Sequence, residues 1–157
     1  MKLLLDTTYF LSAIGISVKN LPKDAPLQLI QRGHQVFMSD VSVFELAAKG
    51  GKHVALGRLA PERVTRGIRA IVYSDTVEIV PIHETTILLT AFKLRGILND
   101  FIDCLLVSSA MNQCDTLITE DSDIQDLKKN RDFNELAASL NPKFKIQTLA
   151  ENLQAQH

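Results

Sequence analysis

A three-layer α/β/α fold on a short, mainly parallel central sheet is the class this sequence predicts. Short apolar runs of strand length alternate with segments of helical pattern along the chain. That order produces crossover connections and a parallel sheet. Acidic residues stand where two of the runs end, Asp6 after Lys2–Leu5 and Glu120, Asp121 and Asp123 after Thr116–Thr119. In open parallel sheets, sites form beyond the carboxyl ends of strands, at a switch in strand order. The length of 157 residues favours a single domain over the whole chain, with the tail from about 148 peripheral.

Lys2 to Leu5 is a compact apolar run closed by Asp6, which predicts a buried strand. Thr7 to Ile16 then reads as a helix, with Gly15 near its end. Pro22 and Pro26 mark a loop. Leu27 to Arg32 is helical and stops at Gly33, in the position after a helix that glycine favours. Gln35 to Met38 predicts the second strand. Ser39 or Asp40 caps a helix that runs through Val43, Leu46 and Ala47 to Gly50 and Gly51.

Pro61 suits a first helical turn, so Glu62 to Tyr73 is the next helix. Val77 to Val80 is a β-branched run ended by Pro81, a third strand. Helices follow at Glu84 to Leu94, with Gly96 behind it, and at Phe101 to Met111, opened by Asn99 or Asp100. Thr116 to Thr119 predicts the fourth strand. Short helices at Ile124–Lys129 and Phe133–Leu140 come next. Lys143 to Gln147 predicts a fifth, edge strand, and the polar tail from Ala150 a frayed end.

Composition narrows the function classes. With 46% hydrophobic and 22% charged residues this is an ordinary globular chain, and a domain of this size buries a core without disulfides. The net charge of -1 advertises no global basic field for nucleic acid. Cys104 and Cys114 lie ten residues apart. On one helix that is about 15 Å along the axis, against the roughly 7 Å between α-carbons that a disulfide tolerates. They read as free, buried thiols of a reducing cytosol. No Cys/His cluster has zinc spacing. The N-terminus is too short and too soon acidic for a signal peptide, and no apolar run approaches the ~20 residues of a membrane span. The expectation is a soluble, cytoplasmic protein with no membrane partner.

Four carboxylates carry the chemistry: Asp6 in KLLLDTTYF, Glu45 in SVFELAAKG, Asp103 in NDFIDCLLVSSA and Asp121 in TLITEDSD. An acid at the edge of an apolar run is costly to desolvate unless something compensates it. Helix-start acids have an ordinary use, since negative charge at a helix N-terminus gains about 0.3–1 kcal/mol. That use is open to Asp100, Asp103, Asp121 and Asp123. If the four converge, a hard divalent cation is the natural compensation.

Taken in order, hydrophobic-Asp-Thr-Thr at the N-terminus, Glu-Leu-Ala after the second strand, Asp-Cys-Leu-Leu-Val-Ser-Ser-Ala and Thr-Leu-Ile-Thr-Glu-Asp resemble the PIN domain, over Lys2 to about Ile124. The resemblance implies a PIN-like fold and a metal-dependent ribonuclease, with a branch of VapC-type toxins paired with small antitoxins. It implies catalytic and metal-holding roles for Asp6, Glu45, Asp103 and Asp121, with Asp123 a partner or substitute for Asp121. Asp6 and Asp103 would be primary ligands of Mg²⁺ or Mn²⁺. Glu45 and Asp121 would serve a second ion or coordinated waters. Thr8 and Thr119 would stand beside the first and fourth acids, and Asp100 beside Asp103. The family often carries a basic residue before the fourth acid; this chain has Glu120, which leaves the ligand of that stretch open.

RNA, expected single-stranded, also needs cations. Arg63, Arg66 and Arg69 recur every three residues on one helix, after Lys49 and Lys52. They read first as a solvated helix face, with a phosphate-contacting rim as the functional alternative. Membership of the toxin branch would bring an antitoxin and a homodimer as partners. Two other readings stand beside this one. A haloacid-dehalogenase-like phosphatase also places an aspartate after its first strand, but needs a second two residues on, where this chain has Thr8. A non-catalytic PIN-like RNA- or protein-binding module would not need all four acids. The missing glycine-rich turn excludes a dinucleotide-binding fold.

Overall fold

The computed structural model describes residues 1–155. Five strands, β1 (Lys2–Leu5), β2 (Gln35–Ser39), β3 (Val77–Val80), β4 (Thr116–Ile118) and β5 (Lys145–Gln147), form one sheet in the order β3-β2-β1-β4-β5. Every pairing in it is parallel. From β1 the chain builds outward through β2 and β3, then returns to add β4 and β5 on the other side. The reversal in strand order falls between β1 and β4, and a crevice opens beyond their carboxyl ends at such a point.

The eight α-helices among the described residues are α1 (Ala25–Gln31), α2 (Val41–Ala55), α3 (Pro61–Val72), α4 (Thr85–Leu94), α5 (Phe101–Gln113), α6 (Ser122–Gln125), α7 (Arg131–Leu140) and α8 (Leu149–Gln154). Two 3₁₀ helices, Thr7–Ile14 and Asp126–Lys129, complete the set. Alternation along β1 separates two cores. Leu4 joins a cluster with Leu94, Leu106, Met111 and Phe133 of α4, α5 and α7. Leu3 and Leu5 join the opposite one, with Phe10, Leu29, Leu46 and Ile71. α5 is the most enclosed helix, buried from Cys104 through Met111. Both cysteines are free and buried.

The structure corrects the sequence reading at three elements. The segment after Asp6 is a 3₁₀ helix closed by Gly15 at φ +93°, a left-handed conformation that glycine adopts freely. Gly50 and Gly51 do not end α2, which runs on to Ala55. Gly50 is there for packing: a Cβ would collide with the Val64 side chain of α3. From Ala150 to Ala155 the tail is not frayed, and the last two residues of that expectation, Gln156 and His157, lie outside the described residues. Thr148 and Glu151 form a reciprocal capping box, and Leu149 and Asn152 are buried, so α8 docks on the sheet.

Candidate active site

β1 delivers Asp6 to the edge of the sheet, where its backbone N–H extends the ladder to the Ile118 carbonyl at 3.0 Å. Its Oδ2 accepts the hydroxyl of Thr119 at 2.7 Å. The same hydroxyl oxygen accepts the Asp121 backbone N–H at 3.1 Å. One fully buried threonine therefore fixes the acid after β1 against the chain that carries the acid after β4. Burial pushes the Asp6 carboxyl up, the Thr119 bond partly offsets this, and the Asp121 charge adds to it.

Glu45 comes from α2. Its Oε1 accepts the Thr7 hydroxyl at 2.6 Å, and Thr7 Oγ1 lies 2.7 Å from Ser42 Oγ. Burial is the main force raising the Glu45 carboxyl; the Thr7 bond opposes it and the Asp6 charge adds to it. Lys49, one helical turn farther along α2, favours the charged forms of both Asp6 and Glu45. That is the expected geometry of an i, i+4 pair.

Asp103 sits in the first turn of α5. Burial comes first among the forces on it, followed by the charges of Asp100, Asp121, Asp6 and Glu45, and together they lift its carboxyl to about 7. Acids from four separate elements are thus within electrostatic reach of one another. Asp100, Asp103, Asp121, Asp123 and Asp126 line one cavity of about 420 Å³. Asp6 and Glu45 are not in its wall and act on it as charges.

Asp100 and Asp121 also have the ordinary use of helix-start acids. Asp100 Oδ1 accepts the Ile102 N–H at 2.8 Å, and Asp121 Oδ1 accepts the Ile124 N–H at 3.0 Å. Each cap occupies one carboxylate oxygen and leaves the other available.

The donor set is all hard oxygen, and like charges held together this way are relieved by a divalent cation. In kind, these residues fit the implied Mg²⁺ or Mn²⁺. As placed, no group of three or more His, Cys, Asp or Glu side chains among the described residues is set to hold a metal ion.

Other sequence expectations find different places. Thr8 was expected beside the first acid; it lines a small recess with Val18, Leu21 and Pro22, and Thr7 takes the hydroxyl role. The sequence contains the tandem threonines, but choosing between them requires knowing where the strand gives way to the 3₁₀ turn. Glu120 adds no charge to the cavity wall. Its Oε1 accepts the Tyr9 hydroxyl at 2.7 Å and the Leu149 N–H at the start of α8 at 3.0 Å, and burial followed by Glu120 pushes the Tyr9 phenol up. Tyr9 and Ser42 went unnoticed in the sequence because neither belongs to a chemical motif.

Arg63 is also reassigned. Its guanidinium donates to the Ala13 and Ser12 carbonyls, closing the end of the first 3₁₀ helix, so it is not a rim cation. Arg69 lies over the Tyr73 ring, 5.2 Å from its centre. Arg66, Lys49 and Lys52 remain at the surface. Among the described residues no helix is long and apolar enough to cross a membrane.

Comparison with known proteins gives the geometry a family. The fold is similar to a chain in the crystal structure of VapBC2 from Rickettsia felis bound to a DNA fragment from their promoter. The TM-score is 0.60 at 17% identity, over 94% of this chain and 98% of that one. No curated protein matches the chain. Residues 3–130 match the model of the PIN domain, a family whose members are generally nucleases using divalent metal ions. On that match, which spans most of its length and all four acids, the chain belongs to the PIN domain family.

Proposed function

We propose that this chain is a metal-dependent endoribonuclease that hydrolyses phosphodiester bonds of single-stranded RNA. The observation that supports the reading is that Asp6, Glu45, Asp103 and Asp121, each from a different element, lie within electrostatic reach of one another beside the switch point of the sheet. Asp6 and Asp103 would be the principal ligands of Mg²⁺ or Mn²⁺, with Glu45, Asp121 and Asp123 completing the set. When bound, such an ion lowers the pKa of a coordinated water and neutralises charge on a phosphodiester. The chain's own residues do the rest. Thr119 and Thr7 hold Asp6 and Glu45, Lys49 offsets excess negative charge, and Lys52 and Arg66 supply surface cations for phosphates along the strand.

The finer reading is the toxin of a toxin–antitoxin pair, acting in the cytoplasm as a homodimer. Its support is the fold shared with a chain of the VapBC2 assembly. An apolar groove of about 310 Å³, lined by Tyr9, Phe10, Leu27, Ile30 and Ile71, offers a seat for a segment of the antitoxin. Family membership sets aside the haloacid-dehalogenase-like phosphatase. The reading that still competes is a non-catalytic PIN-like module, which would bind no metal.

The test is cleavage of a labelled single-stranded RNA with Mn²⁺, with EDTA, and by Asp6→Asn. We expect cutting by the wild type alone, with metal. Equal cutting by D6N would overturn the assignment, and an inert wild type that binds no Mn²⁺ would favour the non-catalytic module.

A further inference from the structure

Thr7 is a buried hydroxyl bonded to one of the acids, where the sequence reading pointed to Thr8. It is 1% exposed. Its Oγ1 stands 2.6 Å from Glu45 Oε1 and 2.7 Å from Ser42 Oγ, while Ser42 is itself completely buried. A threonine hydroxyl has one proton to give. Of the two acceptors, the carboxylate is the stronger, because hydrogen bonds to an ionised acceptor are shorter and about twice as strong. The proton therefore goes to Glu45. Ser42 Oγ stands behind the same hydroxyl as a second, weaker acceptor at 2.7 Å, so Thr7 is held between Ser42 and Glu45.

The contact has a counterpart on the other side of Asp6, where Thr119 accepts the Asp121 N–H and donates its hydroxyl to Asp6. Thr7 follows Asp6 directly in sequence, so the backbone that places the first acid also places the hydroxyl that holds the second. Ser42 and Glu45 lie three residues apart on α2 and share a face of that helix. The contact therefore locks the first 3₁₀ helix to α2 at the site itself.

We propose that Thr7, backed by Ser42, is a positioning residue for Glu45. It fixes one carboxylate oxygen, Oε1, and leaves the other available. The proposal rests on the nuclease reading above, and its role is to hold one oxygen of Glu45 in place before a metal ion arrives. Residues behind a metal ligand commonly contribute 10–100-fold to affinity or activity.

The experiment compares Thr7→Val, Thr7→Ser and Ser42→Ala, each alone and combined with Glu45→Ala, by calorimetric Mn²⁺ titration, RNA cleavage and thermal melting. Valine keeps the shape and removes the hydroxyl, so T7V should keep the wild-type circular dichroism and melt only a little lower, for the donor that Glu45 loses. We expect it to bind Mn²⁺ about tenfold more weakly and to lose about tenfold in kcat with KM for RNA unchanged. T7S should restore both, and S42A should show a smaller loss of the same kind. In the E45A background T7V should change nothing further. Wild-type metal affinity in T7V, or an equal loss in the E45A background, overturns the positioning role while leaving the nuclease reading intact. A wild type that neither binds Mn²⁺ nor cuts RNA removes both.

Discussion

The acids of the site divide into two pairs held in different ways. Asp6 and Glu45 are each tied through one oxygen to a buried threonine, at 2.7 and 2.6 Å, and stand back from the cavity wall. Asp103 and Asp121 stand in that wall with Asp100 and Asp123. There Asp121 is spent partly on capping α6, and burial and neighbouring charges rather than a hydroxyl set the environment of Asp103. The inner pair is preorganised by hydroxyls that also offset its burial. The outer pair has no such support, and burial first, then the charges of the neighbouring acids, lift the Asp103 carboxyl to about 7. Rigidity is built into one side of the site and adjustability into the other. Each prediction below tests that division.

Removing a charge from the inner pair should have the largest effect. Asp6→Asn should lower RNA cleavage on the order of a thousandfold, since the contribution expected of a metal to the transition state is several kcal/mol. Circular dichroism and melting should remain close to wild type. Asp123→Asn should cost far less, because Asp123 is exposed in the outer wall and neither threonine hydroxyl holds it.

The framework under the inner pair can be broken without touching an acid. Gly67 on α3 faces the carbonyl of Ala13, and a Cβ there would drive into that backbone group. Gly67→Ala should destabilise the fold by about 3 kcal/mol, at the upper end for overpacking, as read from the denaturant midpoint. Loss of Arg63, which caps the same turn, should cost about 1–2 kcal/mol for its hydrogen bonds to carbonyls. It should leave the salt dependence of RNA binding unchanged, whereas Arg66→Ala should make that dependence shallower.

The outer pair should reveal itself through pH. The folded Asp103 carboxyl titrates at about 7, above its ordinary 3.8, so its protonated form favours the fold. That stabilisation is complete below 3.8 and is lost as pH rises through about 7. Metal-free wild type should therefore melt at a higher temperature at pH 5 than at pH 8. Asp103→Asn should be the more stable protein at pH 8, with the difference shrinking on acidification. The same melting temperature for both proteins across that range would contradict this account of Asp103.

The smallest effect concerns Glu120, the acid that departs from the family's usual basic residue. Tyr9→Phe removes one of its two donors and should cost about 1.5 kcal/mol, the low end for a bond to a charged group. A gain in stability on that substitution would show that Glu120 is not neutralised where it stands.

The parts of the fold that sequence reveals are those where local pattern and global position agree. Lys2–Leu5 ends at an acid because the strand itself ends there, so Asp6 was placed by the topology alone. Glu45 was not. Inside α2 it has the surroundings of a solvent-facing carboxylate, and only motif order singled it out. Gly50 misled because a helix-ending glycine and a close-packing glycine look the same until Val64 is seen against it. The capping box of Thr148 and Glu151 was present in the sequence, but polarity argued for fraying, and the burial of Leu149 and Asn152 is a tertiary fact. The sequence pointed to Thr8 where the structure has Thr7 bonded to Glu45, since the choice turns on a single residue of strand length.

The most direct test of the central claim, that acids from four elements form one divalent-cation site, is calorimetric titration of Mn²⁺ into the metal-free wild type beside D6N and D103N. The account predicts saturable binding by the wild type that is lost or greatly weakened in both variants. Saturable binding in all three with the same affinity, or none in the wild type, would contradict it.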